Sequence, residues 1–382
     1  MADIPKIRFK GFTEPWEQRK LSDVVDSVDT GKSKFDKEGS SGEYPILGST
    51  SVIGYDDEYD YEGDFILTAR VGANAGSLYR HAGKVKISDN TVYIQASQNI
   101  EFLYQLLIRF DIKRLSFGTG QPLVKASELK RLELMMPTDM EEQMRIGVYF
   151  KNLDHLITLH QRKCDDTKEL KKYMLQKMFP KNGEKFPEIR FKGFTEAWEQ
   201  RKLGEVSESY SGGTPSVGNK SYYGGSIPFI RSAEINSEST ELFLTEEGLT
   251  NSSARMVSKG DILYALYGAT SGETGRSRIN GAINQAILAI LPHDGYDSEF
   301  LMQWLRKSKQ NITDIYLQGG QGNLSGAIVK ALEVNFPSLA EQRQIGNYFQ
   351  SIDNLITLHQ RKCDTLKELK KYMLQNMFPK KG

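Results

Sequence analysis

The segment Leu156 to Lys181, LITLHQRKCDDTKELKKYMLQKMFPK, returns at Leu355 to Lys380 with differences only at positions 166, 167 and 177 of the first copy. A repeat of that fidelity constrains the chain more than any single motif, because it requires two copies of one structural unit. A second repeated stretch precedes each copy. Ile7 to Val24, IRFKGFTEPWEQRKLSDV, returns as Ile189 to Val206, IRFKGFTEAWEQRKLGEV, with 15 of 18 positions identical. The offsets are 182 and 199 residues, so the region between the shared ends is 17 residues longer in the second copy.

The downstream repeat reads as a long helix. Thr138 and Ser338, followed three residues on by Glu141 and Glu341, supply a hydroxyl and a carboxylate at the spacing that satisfies free N–H groups at a helix start. Apolar residues then recur at alternating threes and fours. The first copy offers Ile146, Tyr149, Leu153, Leu156, Leu170 and Met174, widened by Phe150 and Ile157. The second offers Ile345, Tyr348, Ile352, Leu355, Leu366, Leu369 and Met373. This is the period of a coiled coil. Phe179-Pro180 and Phe378-Pro379 close the helices, since the residue before a proline disfavours helical geometry. A rod of roughly 38 residues spans about 57 Å at about 1.5 Å per residue, too long to be buried in a globule. Two such rods pack most readily on each other as an antiparallel pair. His160 and His359, near the midpoints, are then expected to meet, as a polar register pin rather than a metal site.

The net charge of +1 gives no bulk signal for nucleic acid, so a polyanion-binding role must rest on local charge. The two cysteines, Cys164 and Cys363, occupy one repeat position and read as packed thiols of a reducing compartment. No apolar run approaches the ~18 residues of a membrane span. The expectation is a soluble, cytoplasmic protein with no membrane partner.

Between Val25 and about Leu132, and between Ser207 and about Leu332, the copies share only scattered features. Identical ends serve to hold two copies of one partner, because identical contacts require identical residues. Unlike middles serve to recognise two different things, whereas neutral drift would spread differences evenly. The middles nonetheless share an order of elements. Gly63 to Gly72 (GDFILTARVG) and Gly260 to Gly268 (GDILYALYG) read as turn, buried strand and glycine-containing loop. The loops continue through Ala73 to Arg80 and Ala269 to Arg276. Strands at 91–94 and 285–290, helical segments at 102–110 and 300–307, and the loops Gly118-Thr119-Gly120-Gln121 and Gly319-Gly320-Gln321-Gly322-Asn323 follow. The exposed helix faces, with Lys163, Lys168, Glu169, Lys171 and Lys172, are the preferred partner surface.

The GDIL-type strand with its glycine loop, the GGQ-type loop, the proline-led Glu-Gln pair (Glu142-Gln143 and Glu341-Gln342) and the duplicated helix together resemble the specificity subunit of type I restriction-modification systems. The first copy departs by one extra residue after Pro137 and by Gly-Thr-Gly-Gln in place of Gly-Gly-Gln. The resemblance covers nearly the whole chain, twice. It implies an α+β architecture: two mixed α/β, strand-rich target recognition domains separated by two long antiparallel coiled-coil helices. The expected boundaries are 1–137 and 189–337 for the recognition domains, 138–180 and 338–382 for the spacer helices, and 181–188 for a linker. It further implies binding of a bipartite, asymmetric site on double-stranded DNA, two methyltransferase subunits as partners, and restriction subunits joining them. The chain itself is expected to be non-catalytic and to hold no cofactor. S-adenosylmethionine belongs to the methyltransferase partner, and ATP and Mg to the restriction partner.

Base edges are read by Arg, Lys, Asn and Gln, and phosphates by basic and hydroxyl side chains. In the first domain the candidates are Lys32, Lys34, Arg70, Asn74, Tyr79, Arg80, His81, Lys84, Lys86, Thr119 and Gln121. In the second they are Lys220, Tyr222, Arg231, Tyr267, Thr270, Ser271, Arg276, Arg278, Gln318, Gln321 and Asn323. Catalytic motifs fail individually. Gly31-Lys32-Ser33 lacks the first glycine of a phosphate loop, whose place Asp26 holds. Phe117-Gly118-Thr119-Gly120 has the wrong spacing for a methyltransferase cofactor loop, and no Asn-Pro-Pro-aromatic segment occurs. No His or Cys pair has metal-site spacing. The alternative is a coiled-coil adaptor joining two protein-binding globules without DNA contact.

Overall fold

The computed structural model describes residues 4–34, 41–115, 122–181, 183–317 and 323–379. The two long helices are Met140–Lys177 and Leu339–Asn376, 38 residues each, as the repeat predicts. The chain divides into two compact units. One comprises residues 1–162 and 359–382, the other 163–358, so the cut falls within both helices. Each unit thus owns one half of each long helix.

In the first unit the opening segment threads between the helix halves. Arg8 donates twice to Glu142, at 2.6 and 2.8 Å, and Glu142 is fully buried. The Ile7 N–H donates to the Asn376 carbonyl at 2.9 Å. The second unit repeats these bonds: Arg190 holds Glu341 at 2.7 and 2.8 Å, and the Ile189 N–H meets the Lys177 carbonyl. The neighbouring glutamines, Gln143 and Gln342, donate to the Pro137 and Pro337 carbonyls, both at 2.8 Å. The two repeated motifs are therefore the two sides of one contact. Trp16 and Trp198 are core residues, each against a phenylalanine from a helix end, Phe378 and Phe179 respectively. Strand Glu17–Lys20 then pairs antiparallel with Glu133–Met136, and Glu199–Lys202 pairs with Glu333–Phe336.

Within each unit the helix halves run antiparallel. In the first, His160 and His359 face each other with Nδ1 atoms 3.1 Å apart, and Cys363 lies against the Ile157 carbonyl. Asp154 accepts from Lys370, the repeat equivalent of Lys171. In the second, Cys164 lies against the Ile356 carbonyl and Lys171 donates to both oxygens of Asp353 at 2.7 and 2.8 Å. The expected stripe needs correction. Ile146, Phe150 and Leu153 are buried, but Leu156, Leu170, Leu355 and Leu369 are 39–48% exposed. The seam instead follows Leu153, Ile157, His160, Cys164, Lys171 and Met174, steps of four and three or their sum, which include polar residues an apolar search passes over. Lys171 likewise leaves the expected surface. Its ammonium is drawn below the ordinary lysine range by burial, against the pull of Asp353. Lys163, Lys168, Glu169 and Lys172 are exposed as expected.

The middles are strand-rich. The first unit has one six-stranded sheet, ordered Ser27–Thr30, Thr91–Gln95, Tyr61–Ala69, Leu78–Ile87, Tyr44–Leu47, Val52–Asp56. The second has a four-stranded sheet of Ser207–Ser211, Ile287–Pro292, Ile262–Ala265 and Thr274–Arg276. A separate sheet orders Phe243–Leu244, Tyr223–Ile230, Gly281–Ile283 and Arg255–Val257. The first four strands of the six correspond, in the same order, to the four of the second unit's first sheet. The long strand Leu78–Ile87 has as its counterpart two short strands, Thr274–Arg276 and Gly281–Ile283, and each outer half pairs parallel with its neighbour. Leu78, Tyr79 and Arg80, expected in a loop, lie in this strand. The domain helices are Ile100–Phe110 and Ser298–Tyr316, the second nine residues longer than its expected end at 307.

Replacing Glu142 with Ala leaves the Arg8 guanidinium buried without its carboxylate, and the expected loss is about 3 kcal/mol of unfolding free energy. The double change Arg8→Met with Glu142→Leu removes both charges and should lose less. Chemical denaturation of the wild type and the two variants checks the order.

Candidate nucleic-acid interface

The strongest correspondence between the unlike middles is a loop frame. After the central strand, Gly72 and Gly76 in the first unit and Gly268 and Gly272 in the second all take positive φ, between 72 and 87°. A Cβ on Gly76 would lie 2.7 Å from the Lys113 amide nitrogen, so this position needs glycine for space as well as conformation. The backbone bonds coincide: Gly76 to Ala69 and Ser77 to Asn74 in one, Gly272 to Ala265 and Glu273 to Thr270 in the other. The segment returning toward the long helix is tied to the same frame. Val124 donates to the Arg70 carbonyl and Leu324 to the Leu266 carbonyl, at 2.8 and 2.9 Å. Isolated bridges join Val71 to Leu123 and Tyr267 to Asn323.

On this common frame the outward side chains differ. Arg70 and Asn74 are exposed in the first unit, with Val71 half-buried between them in sequence. In the second, Tyr267 and Thr270 are half-buried and Asn323 is exposed. Ser271 is buried and spends its hydroxyl on the Leu266 carbonyl at 3.2 Å. Thr119, Gln121, Gln318 and Gln321 lie outside the described residues.

Several candidate cations are committed within the fold. Arg80 pairs with Glu101, lies 3.7 Å from Asp154 and stands 4.2 Å over the Tyr104 ring. Arg276 donates to the Gly260 carbonyl at 2.7 Å and to Glu299 at 2.8 Å. These two arginines are equivalents that fasten a strand to the domain helix. Arg231 donates to Glu234 and Glu241 at 2.8 and 2.7 Å, which raises its already high pKa further. Burial acts to raise the Glu234 carboxyl, but bonds from the Arg231 side chain and backbone, the Glu241 backbone and Thr240 outweigh it and hold it at about 2.

The remaining candidates are spread along strands and edges. Tyr79 gives its hydroxyl to the Gly48 carbonyl, and burial pushes its ionisation upward. Burial also lowers the His81 pKa, favouring the neutral ring. Lys86 is 2.9 Å from Asp56, while Lys84 lies 4.7 Å over the Tyr59 ring. Lys32, Lys34, Lys220 and Arg278 are exposed, and Tyr222 is half-buried. Arg278 forms no ion pair among the described residues. Sequence reading missed Arg255, which sits 3.8 Å over the Tyr210 ring. The two lie on strands of different sheets, where the Tyr210 hydroxyl also donates to the Met256 carbonyl, and no local pattern announces the contact. Among the described residues no cluster of three His, Cys, Asp or Glu could hold a metal ion, and no helix is long and apolar enough to cross a membrane.

The profile of the type I restriction modification DNA specificity domain matches residues 13–168 and again 195–368. The chain belongs to that family. It carries two of its domains, which favours the DNA-reading over the adaptor reading. A type I restriction enzyme specificity subunit of Methanocaldococcus jannaschii, MjaVIII, is 24% identical over 94% of this chain and 91% of its own. Another from that organism, MjaIX, is 28% identical over 47% of this chain and 44% of its own. The crystal structure of a type I restriction-modification S subunit from M. genitalium shares the fold, with a TM-score of 0.75 and 16% identity over 99% of this chain and 100% of that one.

Glu234 is held below its ordinary value of 4.5, so its stabilisation is fully present above that pH and is lost as pH falls toward about 2. Melting curves of the wild type and Glu234→Gln should therefore differ at pH 7 and converge as the pH drops below 4.5.

Proposed function

We propose that each unit reads one half of a bipartite, asymmetric site on double-stranded DNA, and that the repeated surfaces hold two methyltransferase subunits. The observation that supports this is the loop frame: one backbone, fixed by the same glycines and bonds, presents Arg70 and Asn74 in one copy and Tyr267, Thr270 and Asn323 in the other. A common scaffold with unlike side chains suits two related readers of unlike sequences, because base edges are distinguished by side-chain donor and acceptor patterns. The repeated opening segments and helices, in contrast, keep their residues where a twin partner needs identical contacts. Chemistry then belongs to the partners. Methyl transfer with S-adenosylmethionine falls to the methyltransferase subunits, and ATP- and Mg-dependent cleavage to restriction subunits that join them. This chain contributes recognition without catalysis, in the cytoplasm where its DNA lies.

Arg70, Asn74, Asn323, Lys32, Lys34, Lys220 and Arg278 remain the side chains best placed to reach DNA. Arg80, Arg276 and Arg231 serve mainly to hold the readers in shape. Replacing 25–132 with the corresponding segment of another family member should change only one half of the methylated motif, read by mapping methylated bases in a genome. A change in both halves contradicts the modular reading. For the chain assembled with its methyltransferase partner, Asn74→Ala should reduce discrimination in one half-site by about 1–3 kcal/mol with an unchanged melting temperature. Arg276→Ala should lower the melting temperature first.

A further inference from the structure

We infer that the first unit carries a second binding site, for an acidic peptide segment with a large apolar side chain supplied by a partner protein. A cavity of about 990 Å³ opens between the helix Ile100–Phe110, the segment 128–135 and the end of the second long helix. Leu106, Leu134 and Phe378 form its apolar depth, and Arg109, Arg114 and Arg131 stand along its wall. It lies at the upper end of the size range of ligand pockets.

The arginines are what a bare hydrophobic pocket would not need. Among the described residues none of the three forms an ion pair, and the buried Arg109 Nε has no hydrogen-bond partner. A buried donor without an acceptor is costly, so a site that keeps one is suited to an arriving acceptor. The two carboxylates on the wall have their own partners: Glu133 accepts from Gln18, and Glu128 lies 3.8 Å from Lys125. On its other side Arg109 lines a cavity of about 360 Å³ with Lys367, Lys370 and Lys371, which adds to the positive field.

The second unit supplies an internal control. Gln105 and Gln303 make equivalent bonds to Asp154 and Asp353, which aligns the two domain helices. Counting from them, Leu106 corresponds to Trp304 and Arg109 to Lys307. Lys307 donates to the Pro180 carbonyl at 3.4 Å, whereas Arg109, which lines the cavity together with Pro379, makes no such bond. Ala331 stands where the first unit has Arg131, each beside the leucine before the short outer strand. Both exchanges remove what an acidic apolar ligand would contact. Apolar depth with a bidentate cationic wall fits carboxylates flanking an aromatic or aliphatic side chain, since guanidinium pairs with carboxylate in fork geometry.

The site is tested on the full chain with a fluorescein-labelled peptide in which glutamates flank a phenylalanine and a leucine. Comparators are the same peptide with lysine for glutamate, an all-glutamate peptide, and ATP. Saturable binding of the first, about tenfold or more tighter than either peptide comparator, is expected. Leu106→Trp, which copies the second unit, and the exposed Arg131→Glu should each weaken it by about tenfold or more with a cooperative melt retained. Equal binding of the all-glutamate peptide, indifference to both variants, or stronger competition by ATP than by unlabelled peptide overturns the inference. Site-specific DNA binding, measured on the same variants, is expected to be unchanged, so failure of the DNA-reading proposal and failure of this site are separately visible.

Discussion

The arrangement within each unit depends on one carboxylate. Asp154 receives Lys370 from the antiparallel helix half and, at 2.9 Å, Gln105 from the domain helix, with Arg80 of the sheet 3.7 Å away. Asp353 receives Lys171, Gln303 at 3.0 Å and Arg306 at 3.2 Å. Both carboxylates are half-buried, and each gathers donors from the helix pair, the domain helix and its neighbourhood at once. Each aspartate therefore ties the helix pair to the reading domain at a single point. Apolar packing around Phe102 and Phe300 supplies most of the attraction, but it is non-directional. The aspartate hub supplies the register.

That division explains how the middles differ so much while the ends do not. What a domain must keep is short: the glutamine on its helix, the arginine on its strand, the tryptophan, and the Arg–Glu lock of the opening segment. The outer strands of the sheet pack into clusters of their own, around Val85 and Ile87 in one unit and Ala282 and Ile283 in the other. They are free to become one continuous strand, Leu78–Ile87, or two short ones, Thr274–Arg276 and Gly281–Ile283. Divergence collects where no shared contact opposes it.

The long helices were legible in the sequence because period and repeat both survive in one dimension, and the meeting of His160 with His359 followed from antiparallel symmetry alone. The seam was not. Its path through Cys164 and Lys171 depends on a buried lysine whose acceptor, Asp353, is 182 residues away. The same limit governs the site. The glycine loops were found, since positive φ and tight approach leave glycines behind. Arg80 and Arg276 are legible in the sequence only as candidate DNA contacts, because an arginine after a glycine loop has the same letters whether it points outward or pairs with Glu101 and Glu299. Partner identity is a tertiary fact.

The topology also sets an order of assembly. The second unit is continuous from 163 to 358, whereas the first requires 359–382 to be complete. Phe378 fills the core around Trp16, Phe102 and Phe150, at ring distances of 5.8–5.9 Å, and the Asn376 carbonyl caps the opening segment at Ile7. Until the last helix is present, that core lacks a large aromatic ring, and voids of this kind are expensive in packed interiors. The second unit meets no such delay, because Phe179 precedes its domain in the chain. The first domain to be synthesised is therefore the last to be finished, and its closure depends on the end of the second helix reaching its place.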